Sequence, residues 1–149
     1  MSAIAAQLNI DMVGRNRDNN PAESNTVYVV GSDRISSELD TMVRTANQSA
    51  ARPMHLDYEL NEPDDPEQIY YRSDHYSYAS KGIPIVFFTT GLHPDYHANT
   101  DEVSRIEFDK LTRVAQFVYA TGARVANLDH PPARDHQGPR AGKATATTR

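Results

Sequence analysis

No cysteine occurs among the 149 residues, which excludes disulfides and cysteine-based zinc sites and leaves the redox compartment open. No apolar run approaches the roughly 20 residues of a membrane-spanning helix. The first residues lack a signal-peptide pattern, and no segment repeats. Clustered lysine and arginine are also missing. The chain carries a net −5 and its last twenty residues +3, so residues 1–129 sum to −8. A body that acidic argues against nucleic acid, because phosphate binding needs clustered cations. Apolar residues reach only 38%, diluted by HPPARDHQGPRAGKATATTR from His130 onward. That stretch has no apolar period and cannot offset its ordering entropy, so residues 130–149 are expected to be a disordered tail.

What remains is one ordinary domain in size, with strands and helices alternating. AIAAQLNI at 3–10 is a short apolar run ending at Asp11, consistent with a buried strand. Gly14 breaks the pattern, and VYVV at 27–30 has the composition of a second strand. Leu39, Met42, Val43 and Ala46 mark an amphipathic helix that Ser36 or Ser37 can cap. Leu56, Tyr58 and Leu60 alternate as a third strand, and Ser73 is a candidate cap for a short helix closed by Gly82. IPIVFFTT at 83–90 is the strongest strand, ended by Gly91. Leu111, Val114, Ala115 and Val118 begin a last helix, running to about Asn127. This order predicts an α/β fold, a mostly parallel sheet flanked by helices on both faces. Four strands make a thin sheet for that architecture.

In open α/β sheets, ligands bind beyond the carboxyl ends of the strands. Asp11 follows the first strand, and the loop carrying His93, Asp95, Tyr96, His97 and Asp101 follows the strongest one. If those strands are parallel neighbours, a carboxylate and an imidazole converge without cysteine, which suits zinc or another divalent ion. Against this stands the ordinary use of Asp as a turn former and of loop His as a solvated residue. SDH at 73–75 carries no triad, because adjacent residues at a helix start diverge and no G-x-S-x-G elbow is present. His75 is read as structural.

The segments NIDMVGR at 9–15, YYRSDHYSYASKGIPIVFFTTGLH at 70–93 and DYHANTD at 95–101 resemble the zinc aminopeptidases of metallopeptidase family 28. The resemblance covers about residues 3–125. It implies a site holding two zinc ions and a peptide substrate, with Asp11 ligating one ion and His97 the other. Tyr96 is similar to the tyrosine that hydrogen-bonds the oxyanion in some members, Asp74 to a nearby second acid, and Asp101 to the partner of the ligating histidine. His93, Asp95, Tyr71 and Arg72 are candidates for a substrate pocket. The family's His–x–Asp and Glu–Glu pairs, which supply the bridging carboxylate and the general base, have no counterpart in the ten residues before Asp11. Residues 1–129 are therefore expected to be the C-terminal half of a zinc peptidase catalytic domain, inactive in isolation, whose partner would be the missing N-terminal half. A secreted or periplasmic parent is compatible with the resemblance, and the residues themselves leave localisation open. Two other readings belong to the same fold, a non-catalytic binding or scaffold relative and a zinc acyltransferase like glutaminyl cyclase.

Overall fold

The computed structural model describes residues 4–136. Its centre is a four-stranded sheet made of β1 (Gln7–Ile10), β2 (Thr26–Val30), β3 (His55–Asp57) and β4 (Ile85–Thr89), in the order β1-β4-β2-β3. β1 runs parallel to β4 with Ile10 opposite Phe88, and β2 runs parallel to β3. The join between these pairs, β2 with β4, is antiparallel. The sheet is thus mixed, with two parallel pairings of three. The run expected at 83–90 trims to five fully buried residues, and the strand expected from residue 3 starts at Gln7.

Helices and short turns cover both faces. α1 (Ser32–Ile35) and α2 (Ser37–Gln48) follow β2, α3 (Tyr76–Ala79) precedes β4, and α4 (Phe108–Ala126) closes the chain of elements. The period-2 alternation of the strands sorts the core into two clusters. Val27, Val29, Val86 and Phe88 face α2 and α4, meeting Leu39, Val43, Val114 and Phe117. Tyr28, Val30, Ile85 and Phe87 face the other way, onto Ile35, Leu60, Ile69, Tyr70 and Ala79. Each fully buried Val, Leu, Ile or Phe among them contributes on the order of 1.5–3 kcal/mol of transfer free energy. No helix among the described residues is long and apolar enough to cross a membrane.

Local chemistry accounts for where sequence expectation and structure part. α2 begins as expected, with the Ser36 hydroxyl accepting from Leu39 N at 3.1 Å. The third strand does not reach Leu60. The Asp57 carboxylate accepts from Glu59 N at 2.8 Å and turns the chain into a 3-10 helix over Glu59–Asn61. Leu60 is still buried, so the alternation reported burial and not strand. Ser73 does not cap α3, which starts at Tyr76 without a side-chain cap.

The expected tail divides. Residues 137–149 lie outside the described residues, whereas 130–136 dock on the start of α2. Ala133 N donates to Glu38 Oε2 at 2.8 Å, Asp135 accepts from Ser37 N at 2.9 Å and from the Ser37 hydroxyl, and His136 N donates to Ile35 O at 3.1 Å. Composition missed this docking because it rests on polar contacts, with Ser37 as donor and with Glu38 and the Ile35 carbonyl as acceptors, rather than on apolar burial.

Candidate active site

β1 and β4 end side by side. Asp11 N donates to Phe88 O at 3.3 Å, and Thr90 donates to Met12 O through both its amide (2.9 Å) and its hydroxyl (2.8 Å). These bonds hold Met12 at φ +56°, a left-handed conformation that a bulky residue adopts only when its surroundings impose it. Gly91, at φ +84°, turns the chain away from β4, and a Cβ there would meet Arg17 Cβ at 2.9 Å. The loop that follows brings Tyr96 to the same edge. Asp11, Met12, Arg72, Ser73, Leu92 and Tyr96 are among the walls of one small cavity of about 30 Å³.

The Asp11 carboxylate has one oriented oxygen. Ser73 Oγ donates to Asp11 Oδ2 at 2.9 Å and itself accepts from Asn9 Nδ2 at 3.0 Å. This relay spans two chain segments, 62 residues apart at its second link. Sequence reading placed Ser73 at a helix start and had no means of aiming it at Asp11. His97 is exposed, at φ +58°, with its ring stacked on Tyr96 at 3.9 Å between centroids. No hydrogen bond fixes its imidazole among the described residues. Asp11 and His97 are thus both exposed, Asp11 directly after β1 and His97 in the loop after β4.

Other expected site residues have different placements. Asp101 does not accept from His97. Its carboxylate takes a bond from Arg15 Nη1 at 3.0 Å, and the histidine it faces is His93, at 3.9 Å. Asp95 and His93 are buried under the loop rather than lining the cavity. Asp95 accepts from Thr100 (2.6 Å), Arg15 (2.7 Å) and Arg105 (3.2 Å), and the Thr100 and Arg15 bonds hold its pKa below the ordinary carboxylate value. Burial and then the Arg15 charge lower the His93 pKa, keeping that ring neutral. Arg72 lines the cavity and pairs with Glu67 at 2.8 Å, whereas Tyr71 packs edge-on against Tyr70 and Tyr76. Asp74 is exposed. His75 is fully buried, stacked on Phe87, with Nε2 bonded to Tyr70 O at 2.7 Å; burial lowers its pKa, as a structural histidine requires.

The residue that sequence reasoning passed over is Arg15. Its guanidinium joins Asp95, Asp101 and Asn19, tying the segment after Asp11 to the loop bearing Tyr96 and His97. No local pattern signals this, because Arg15 lies 80 and 86 positions from the two acids it joins.

Can these residues hold zinc? Donor chemistry fits, one carboxylate and one imidazole without thiolate. Donor number does not, because among the described residues no three His, Cys, Asp or Glu side chains converge on a point. A structural or catalytic zinc is usually held by at least three protein ligands.

Comparison with known proteins agrees with the fold. The sequence model of Peptidase family M28 matches residues 1–122. No curated protein matches the sequence. Among solved structures, BSAP, a zinc aminopeptidase from Bacillus subtilis, matches with a TM-score of 0.60 at 19% identity, over 87% of this chain and 30% of that one. At that identity the likeness is one of fold, and the chain spans less than a third of the length of the structure it matches.

Proposed function

The chain belongs to peptidase family M28, and from that premise we propose that it forms one side of the active site of a dinuclear zinc aminopeptidase. The observation that carries this reading is the parallel pairing of β1 with β4, which makes Asp11 and Tyr96 walls of one cavity with His97 stacked beside them. Asp11 would give a carboxylate oxygen to one ion and His97 a ring nitrogen to the other. The Ser73 bond engages Asp11 Oδ2, which orients the carboxylate and leaves Oδ1 free. Zinc, when bound, supplies Lewis acidity toward a peptide carbonyl and lowers the pKa of a water. The Tyr96 hydroxyl donates a hydrogen bond to the carbonyl oxygen of an N-terminal peptide bond as charge builds on it. Peptides bearing a free N-terminus are the substrates.

Asp11 and His97 are too few to hold two ions, and among the described residues no third carboxylate or imidazole joins them to complete a metal site or serve as base, so the 149-residue chain on its own is catalytically silent. The test is release of p-nitroaniline from leucine p-nitroanilide by the purified chain with added zinc. The rate should equal the blank. Zinc-dependent release that a chelator and His97→Ala both abolish would show that the chain holds a complete site, contrary to this reading.

A further inference from the structure

His97 stands inside a short loop segment whose two ends are held by one side chain. Asp95 precedes it, Asp101 follows it, and Arg15 reaches both. Arg15 Nη2 donates to Asp95 Oδ2 at 2.7 Å, and Nη1 donates to Asp101 Oδ1 at 3.0 Å. Nη2 also donates to Asn19 Oδ1, and only 9% of the Arg15 side chain is exposed.

The loop's other bonds fold it on itself. The amides of Tyr96, Ala98 and Asp101 donate to the carbonyls of His93, Asp95 and Ala98, while Thr100 and Arg105 donate to the Asp95 carboxylate. None of these bonds relates His97 to Asp11. Those of Arg15 do, because the chain between Asp11 and Arg15 is itself fastened. Met12 O accepts from Thr90, and Gly14 O accepts from Glu107 N at 2.8 Å.

We propose that Arg15 is a positioning residue, whose guanidinium fixes where Tyr96 and His97 stand relative to Asp11. The inference rests on the catalytic reading above, which gives those three residues their roles. Two features separate this contact from an ordinary buried ion pair. Each terminal nitrogen takes a different acid, a span that the compact ammonium of lysine does not reproduce. The His97 imidazole has no hydrogen bond of its own among the described residues, and its backbone sits at φ +58°, so its place depends on the ends of the segment. Pinning both ends of so short a segment removes most of the freedom that an exposed ring would otherwise have. Where catalysis works by placement, a shift of about 1 Å costs roughly 100-fold in rate. A clamp on the loop guards against that shift.

NMR of the isotope-labelled full chain tests this without needing turnover. Arg15→Lys keeps the charge and loses the fork. It should erase the stacking contact between the Tyr96 and His97 rings, together with cross-relaxation between the Tyr96 ring and the Met12 methyl, two walls of one cavity. Amide exchange at Asp101 should quicken, while Phe88, Val114 and Phe117 of the core stay as in the parent. Asp101→Asn weakens one arm at a side chain already 43% exposed, so it reads out the clamp even if Arg15→Lys does not fold. It should shift the same Tyr96 and His97 signals. Arg105→Ala removes the cation that bonds Asp95 from within the loop, and should leave Tyr96 and His97 as in the parent.

Tyr96 and His97 signals unmoved in either folded variant, an equal effect from Arg105→Ala, or core signals that move as far as the loop's would each overturn the proposal. Zinc titration of the parent tests the catalytic reading separately. A His97 ring that ignores zinc removes the reaction that Arg15 serves, whatever the variants do.

Discussion

Raising the pH from 7 to 10 should stabilise the parent chain relative to Lys110→Met, because Lys110 is an ammonium held almost out of water. It is only 2% exposed, and its Nζ donates to Asn16 Oδ1 and Glu23 O, both at 2.8 Å. Burial pushes its pKa down from the ordinary 10.5 to about 8. The unfolded chain keeps this proton up to about 10.5 while the folded chain releases it near 8, so the unfolded state binds more protons across that window and stability rises with pH. Below 8 the cost of burying the charge is fully present. The difference of 10.5 − 8, about 2.5 pH units, corresponds to at most about 3.4 kcal/mol. The two hydrogen bonds and the partly open Glu23 side reduce this to about 1–3 kcal/mol. Urea unfolding of both chains at pH 7 and pH 10 isolates the effect, since every other titrating group is common to the two. The acceptors that Lys110→Met leaves unpaired cost the same at both pH values and cancel in the difference. The parent should gain about 1 kcal/mol or more over the variant on going to pH 10. Parallel behaviour of the two chains would mean that Asn16 and Glu23 fully compensate the buried charge, and the reasoning would be refuted.

Gly31 sits at φ +82° between β2 and α1, where a Cβ would meet Ile85 Cδ1 at 2.3 Å and Tyr70 Cε2 at 2.8 Å. Gly31→Ala combines left-handed strain with overpacking and should cost about 2–5 kcal/mol in urea unfolding; a loss under about 1 kcal/mol would show that Ile85 and Tyr70 yield freely. Removing residues 130–149 should lower the thermal midpoint by several degrees, on the order of 1 kcal/mol for the lost contacts to Ser37, Glu38 and Ile35. An unchanged midpoint would mean the docked segment contributes nothing.

The sequence disclosed what depends on local pattern and withheld what depends on distant pairing. Val27, Val29, Ile85 and Phe87 announce strands by composition, and Leu39, Met42, Val43 and Ala46 announce α2 by period. Strand direction is not written locally, so the antiparallel β2–β4 join was not foreseen. The site followed the same division. Asp11 and the Tyr96–His97 loop could be placed because each follows a strand, and parallel neighbours bring strand ends together. Ser73 reaching Asp11 and Arg15 reaching Asp95 and Asp101 join residues 62 to 86 positions apart, and no periodicity encodes them. For the same reason His93 and Asp95 read as pocket residues when they are the buried footing of the loop.

The central claim is that Asp11 and His97 face one metal site. It is tested most directly by titrating zinc into the isotope-labelled chain while following histidine ring nitrogens and the Asp11 amide by NMR. Binding should be weak, as befits two donors. The His97 ring and the Asp11 amide should both respond over the same zinc concentrations. Zinc that perturbs His130 and His136 but leaves His97 or Asp11 unmoved would contradict the account.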